Sequence, residues 1–192
     1  MKKTMSGFTI MELVIVIIVI GILMAITLVT YNGAQDRAKN AQTLSAVDQW
    51  LKALEIYRAR NGSFPAMNSC LGANYLYTVS GAGASGVGQC RQDNATTGVV
   101  DSAAFDALLV KYLSGNPTPA MTTTIVTSPN FWYRGAYYYV TGGNSRIDFT
   151  LTAAAGGCPA KIGGDVALSN GGYQGTNRNY MCSYVIGPTT GY

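Results

Sequence analysis

The residues of this chain whose types and spacing invite chemistry are few. They are one carboxylate, Glu12, set in an apolar run, four cysteines, a glycine-rich hexad and three consecutive tyrosines. Histidine is absent, which removes His-based triads, the common zinc sites and imidazole proton shuttles. The other carboxylates, Asp36, Asp48, Glu55, Asp93, Asp101, Asp106, Asp148 and Asp165, are scattered. Nothing in their spacing asks for acid–base work, so they read as solvated surface charge. Gly81, Gly83 and Gly86 match G-x-G-x-x-G, with Asp101 about 20 residues on. A dinucleotide site needs a helix opening at the third glycine; Val87-Gly88-Gln89-Cys90 is no helix start, and the hexad reads as a loop. No catalytic residue, metal site or cofactor is expected.

Cys70, Cys90, Cys158 and Cys182 contain no C-x-x-C pair. An even number at wide spacing fits disulfides in an oxidising compartment better than a metal site. Three pairings are possible, and the sequence-local one, Cys70–Cys90 with Cys158–Cys182, is expected. Tyr137-Tyr138-Tyr139 reads as a strand with one tyrosine inward and two at the sheet rim, in preference to an adhesive or carbohydrate-binding surface. Asn94-Ala95-Thr96 fits a glycosylation acceptor, a tripeptide common by chance.

Charged residues make up only 11% of the 192, with 23 Gly and 13 Tyr, a composition common in exported β-rich proteins. Lys2 and Lys3 supply half of the formal charge of +4; without them it is +2. There is no basic stripe, so a nearly neutral surface is expected and nucleic acid is not a direct partner.

The elements that must position Glu12 come first in the chain. Residues 1–7 form a short positive leader, and residues 8–31 an apolar run. From Leu13 to Gln35 there are 23 residues without a charge. As helix they exceed the roughly 30 Å hydrocarbon core of a bilayer. Lys2 and Lys3 keep the near end cytoplasmic. A cleavable secretory signal would have a shorter apolar region and an A-x-A-like site, so retention of the run is expected. A plain signal anchor is the other alternative. Glu12 stands against it, since a carboxylate at membrane depth costs on the order of 2–3 kcal/mol. On position alone, an interfacial Glu12 at headgroup level stays open.

Gly7-Phe8-Thr9-Ile10-Met11-Glu12 and the apolar residues that follow resemble the class III leader of type IV pilins and type II secretion pseudopilins. The resemblance implies cleavage between Gly7 and Phe8 by prepilin peptidase, with Phe8 as the new, often N-methylated, N-terminus. It further implies that Glu12 pairs with the freed Phe8 amine of a neighbouring subunit during assembly. The resemblance covers about the first 60 residues. Many family members carry a proline where Val29 stands here; this helix has none, and no proline kink is predicted.

Residues 32–60 continue as an amphipathic helix. Ala34, Ala38, Ala41, Leu44, Val47, Leu51, Leu54 and Tyr57 form one stripe, and Asn61-Gly62 is the stop. Residues 66–100 read as irregular. Residues 101–113 read as a short helix capped by Asp101 or Ser102 and ended by Gly115-Asn116-Pro117. Strands are expected over 131–141 and 147–152, joined by a turn at 142–145, and over 179–186. The second is expected to be half-buried, with Ile147, Phe149 and Leu151 inward and Asp148, Thr150 and Thr152 outward. The fold class is α+β: a long N-terminal helix packed on a small antiparallel sheet, pilin-like. The divisions are 1–7 leader, 8–31 transmembrane or filament-core helix half, 32–62 amphipathic half and 63–192 exported globular domain.

The function that follows is a structural, non-enzymatic subunit of a type IV pilus-like filament. It is held first in the cytoplasmic membrane with its C-terminal domain outside, then in an extracellular pilus. The implied partners are membrane lipid, prepilin peptidase, a pilus assembly platform with its ATPase, and further copies of the chain. A pseudopilin or minor pilin of a secretion or DNA-uptake system is the runner-up. A signal-anchored extracellular binding domain that never polymerises is the alternative of another class.

Overall fold

The computed structural model describes residues 7–75, 88–92, 98–125, 132–162, 166–167, 173–175 and 177–188. For residues 26–30, 32, 161–162, 166–167, 173–174 and 188 it describes the backbone alone. The glycine hexad at 81–86, Asn94-Ala95-Thr96, Asp93 and Asp165 lie outside the described residues. The chain divides into two compact units, Met1–Gln35 and Asp36–Tyr192.

Helix α1 runs over Ile10–Asn61 and passes Val29 without a break. It ends where the sequence places the stop. The Gly62 N–H donates to the Arg58 carbonyl at 2.8 Å with φ +80°, a left-handed turn that glycine makes without a Cβ penalty. Asn61 Nδ2 donates to the Tyr57 carbonyl at 2.8 Å, occupying another terminal acceptor.

The strands of the second unit are β1 (Ser69–Cys70), β2 (Gln89–Gln92), β3 (Gly98–Val100), β4 (Thr123–Ile125), β5 (Trp132–Arg134), β6 (Ala136–Thr141), β7 (Asn144–Leu151), β8 (Lys161–Ile162), β9 (Val166–Ala167), β10 (Tyr173–Gln174) and β11 (Tyr180–Pro188). They form a five-stranded sheet in the order β1-β6-β7-β11-β10, a four-stranded sheet in the order β3-β2-β5-β4, and a β8-β9 pair. Among the described residues every strand pairing is antiparallel. The architecture is therefore α+β, helix with antiparallel sheet.

The main core joins the second-unit part of α1 to the five-stranded sheet. Val47, Trp50, Leu51 and Leu54 of α1 pack with Phe105 and Leu109, and with Tyr138, Ile147, Phe149, Cys182 and Tyr184 of the sheet. Each such side chain, fully buried, contributes about 1.5–3 kcal/mol. Phe105 and Leu109 come from α2 (Ala103–Leu109), capped by Ser102, whose Oγ accepts from the Phe105 N–H. A 3-10 turn, Val110–Tyr112, replaces the last turn expected of this helix.

Several sequence expectations are corrected here. The stripe on α1 holds from Leu44 to Tyr57, but Ala34, Ala38 and Ala41 are exposed. The buried positions beside them are Asn40 and Thr43. Asn40 Oδ1 accepts the Thr152 N–H at 2.8 Å, and Thr43 Oγ1 accepts the Ala120 N–H at 3.1 Å. Loop backbone donors select these polar side chains over alanine, because an unpaired buried N–H costs about 1–3 kcal/mol. Residues 66–100 are not wholly irregular, since they hold β1, β2 and β3.

The strand expected at 131–141 is broken at Gly135, and its halves join different sheets. Gly135 has φ +62°, and a Cβ there would stand 2.7 Å from the Tyr75 hydroxyl. That hydroxyl accepts the Ala136 N–H at 3.1 Å and lies 2.7 Å from the Ala136 carbonyl oxygen. The turn is only Gly142-Gly143, both with positive φ, and Thr141 faces Asn144 in register. This is the two-residue loop whose twist suits a hairpin.

β7 is not half-buried. Asp148, Thr150 and Thr152 are as hidden as Ile147, Phe149 and Leu151. A second core covers that face of the sheet, built from Cys70, Tyr75, Cys90, Val99, Tyr133 and Tyr137. Two of the three tyrosines are therefore inward, on opposite faces: Tyr138 in the main core and Tyr137 in the second. The Arg91 guanidinium lies 4.2 Å from the Tyr139 ring centre and 5.6 Å from those of Tyr133 and Tyr137. Asp148, opposite Tyr137 in register, is not a surface charge. Its Oδ2 lies 3.0 Å from Arg146 Nε. Burial pushes its carboxyl up, with Arg146 the largest opposing influence.

The disulfides are Cys70–Cys90 and Cys158–Cys182. The first ties β1 of one sheet to β2 of the other; the second ties β11 to the segment after the 3-10 turn Ala153–Ala155.

Two predictions follow from these contacts. With sequence separations of 20 and 24, replacing either cysteine pair by alanine should lower the unfolding free energy by about 3 kcal/mol. Urea titration of the full chain in detergent measures this, and an unchanged midpoint for either pair would refute it. The second concerns Asp106, whose carboxyl burial, and after it the Asp101 charge, push up to about 6. A raised folded pKa means that the folded state holds the proton more tightly. The stability from this group is full below about pH 4 and is lost as pH rises through about 6. Asp106→Asn should therefore raise the thermal midpoint over the parent at pH 7.5, with the gap closing near pH 4. An equal gap at both pH values would contradict the assignment.

Candidate assembly site

The first unit holds the residues singled out at the N-terminus. Gly7, Phe8 and Thr9 precede α1 in non-helical backbone, and all three are exposed. Phe8 is 82% exposed. From residue 7 to residue 25 every side chain is exposed, and Ile10, Met11 and almost all that follow are large and apolar. Monomeric soluble proteins rarely expose a contiguous apolar patch beyond about 300–600 Å². A stretch of this kind calls for an apolar cover.

Among the described residues no helix is long and apolar enough to cross a membrane. The side chains of residues 26–30 and 32 lie outside that set, and the spanning run expected from sequence passes through them.

Glu12 sits in the first turn of α1 and joins a reciprocal cap that sequence reasoning missed. Its Oε2 accepts the Thr9 N–H at 2.8 Å and the Thr9 hydroxyl at 2.8 Å. In return Thr9 Oγ1 accepts the Glu12 N–H at 3.3 Å. This is a capping box, threonine at the N-cap and glutamate three residues on, which satisfies donors that the first helical turn leaves open. The signal was legible: Thr9-Ile10-Met11-Glu12 fits T-x-x-E directly before an apolar run. The carboxylate's second oxygen has no partner among the described residues. Glu12 therefore starts its own helix while keeping acceptor capacity and a negative charge for a further partner.

Among the described residues no other group of side chains gathers into a reactive site. No group of three or more His, Cys, Asp or Glu able to hold a metal ion occurs among the described residues. The disulfide cysteines and the Phe8–Glu12 segment lie in different units.

No family model and no solved structure matches the chain. Curated relatives do. The chain is 35% identical to fimbrial protein EcpC of Eikenella corrodens over 45% of its own length and 62% of the relative's. It is 29% identical to type II secretion system core protein G of Aeromonas hydrophila, over 38% of the chain and 50% of the relative. The same protein of Dickeya chrysanthemi is 26% identical, over 38% and 48%. The chain thus spans about half to three-fifths of the length of the curated relatives it matches. In its sequence, and in its plan of N-terminal helix with antiparallel sheet, this chain resembles the type IV pilins and type II secretion pseudopilins.

Proposed function

We propose that the chain is a structural subunit of a type IV pilus-like filament, stored in the cytoplasmic membrane and polymerised through its N-terminal helix. The observation that carries this reading is the exposed, mostly apolar stretch 7–25 with Glu12 as its one carboxylate. Residues 8–31 hold the subunit in lipid, with the second unit exported. Prepilin peptidase cuts after Gly7, and Phe8 becomes the N-terminus and is N-methylated. An assembly platform and its ATPase then move the subunit into a helical homo-oligomer. The boundaries 1–7, 8–31, 32–62 and 63–192 are the divisions this pathway uses.

The energetics explain why one carboxylate matters. Moving an apolar helix from lipid into a bundle of similar helices changes apolar burial little, so packing and polar pairing steer the step. Cleavage would leave an ammonium on Phe8, at the positive end of its own helix dipole. A neighbour's Glu12 offers the opposite charge in apolar surroundings, where an unpaired charge is costly. The pair sets the axial register of one subunit against the next. The relatives named type II secretion system core protein G favour a second reading, a pseudopilin with the same helix and few copies.

Processing is tested by N-terminal sequencing of the envelope protein. The parent should begin at Phe8, and Gly7→Glu should retain Met1. A parent that still begins at Met1 where the peptidase is present overturns the pathway.

The capping box dictates the variants that test Glu12. Glu12→Ala loses both cap and charge, whereas Glu12→Gln keeps an acceptor for the Thr9 donors and loses only the charge. Both should insert in the membrane at least as well as the parent, since removing a carboxylate lowers the cost of entering lipid. The ratio of sheared-filament subunit to membrane-pool subunit should collapse in both. If Glu12→Gln assembles like the parent while Glu12→Ala fails, the residue acts as a cap alone. If both assemble normally, an anchored ectodomain is the better account.

A further inference from the structure

The second unit carries a cavity of about 420 Å³ lined by Arg37, Asn40, Ala41 and Leu44 of α1 and, among others, by Leu151 and Pro159. Another wall is the segment 154–159, which is pinned from two sides. Cys158 is bonded to Cys182 of β11, and the Tyr184 hydroxyl donates to the Pro159 carbonyl. The 3-10 turn that leads into it closes with the Ala155 N–H on the Thr152 carbonyl at 3.0 Å. A frame held in this way needs little ordering to accept a ligand.

The lining holds two polar side chains, and both offer donors. Asn40 is 8% exposed. Its Oδ1 accepts the Thr152 N–H at 2.8 Å. That bond fixes the amide, since turning it over would set its NH₂ against an N–H. Asn40 Nδ2 donates to none of the described residues, and it is not one of the unpartnered atoms closed off from solvent. A mostly buried donor of this kind is costly until an acceptor reaches it. Arg37 lies three residues earlier, on the same face of the helix. Its exposed side chain makes no ion pair or hydrogen bond among the described residues. The charges beside it, Asp36 and Lys39, pair with each other and line a different cavity. No described carboxylate lines this one.

We propose that this cavity binds the carboxylate of a small apolar acid. The Arg37 guanidinium and the Asn40 amide donate to its oxygens, and its hydrocarbon lies against Ala41, Leu44, Leu151 and Pro159. The single charge of a carboxylate matches the one guanidinium. A doubly charged phosphate would leave a charge uncompensated among aliphatic walls. A neutral apolar molecule would leave the Asn40 donor unmet. Such a carboxylate is found on the C-terminus of a peptide that ends in an apolar residue and on a free short-chain acid. The site lies wholly within the second unit and is independent of the assembly role proposed for the first.

NMR of the full chain in nonionic detergent micelles, labelled at leucine methyls and asparagine side-chain amides, follows Leu44 and Asn40 during titration. The ligands are N-acetylleucine, isocaproate, the neutral N-acetylleucinamide and inorganic phosphate. At least one of the two acids should shift both signals saturably, with a dissociation constant on the order of 1 mM. The neutral amide and phosphate should not. Tighter binding of N-acetylleucine identifies a peptide C-terminus, and tighter binding of isocaproate a free acid. Arg37→Gln should weaken binding by at least about tenfold, the worth of a charge-assisted hydrogen bond. Its thermal midpoint should stay as in the parent, because the side chain has no partner in the fold. Asn40→Asp keeps an acceptor for the Thr152 N–H but puts a negative charge in the cavity, and should abolish the Leu44 shift. Ala41→Phe keeps both donors and fills the space, and should abolish it too. Equal shifts from N-acetylleucine and its neutral amide, or matching shifts from phosphate, overturn the carboxylate assignment. No saturable shift from either acid, or binding that is unchanged in both Arg37→Gln and Ala41→Phe, overturns the site.

Discussion

The exposed apolar side chains from Phe8 to Ala25 set the terms for the rest of this molecule. In water they constitute a patch far beyond what a soluble monomer tolerates. The chain must be held in lipid or pressed against other helices, and both environments are apolar. That equivalence is what the proposed function uses, with one segment as anchor first and filament core afterwards. It also means that hydrophobic burial cannot decide between the two states, which leaves the decision to the few polar groups the segment contains.

Glu12 and Thr9 are those groups at its start. The reciprocal bonds between them solve a local problem, the unpaired N–H donors of the first helical turn. A glutamine at position 12 would solve that problem nearly as well. The charge is the part that capping does not require, and it carries a cost in lipid of a few kcal/mol. Cap and charge are thus separable demands on one side chain.

The second unit has its own means of stability. It has two cores on opposite faces of one sheet. The Cys70–Cys90 bond links the two sheets across the second core, and the Arg91 guanidinium lies over three tyrosine rings beside it. Asp148, buried behind those rings with its Oδ2 3.0 Å from the partly exposed Arg146, is an ionisable group in a layer of tyrosines, a disulfide and Val99. Such a buried group is weak evidence for stability, because desolvation offsets its attraction.

The sequence alone determined the features that depend on near neighbours. Gly7-Phe8 and Glu12 against a long apolar run, the helix stop at Asn61-Gly62, a helix cap at Asp101 or Ser102 and a turn within 142–145 each follow from residues a few positions apart. Period told which residues share a face, but not how many faces would be covered. Only the tertiary structure decided that β7 is buried on both sides, because its second cover comes from Cys70, Cys90 and Tyr133, remote in sequence. Only it decided that Asn40 and Thr43 face inward while Ala38 and Ala41 face out, because the donors they satisfy belong to Thr152 and Ala120. Gly135 breaks a run that looks continuous, because the Tyr75 ring occupies the space a side chain would need. In each case a distant partner supplies the deciding hydrogen bond or contact, and no local pattern encodes it.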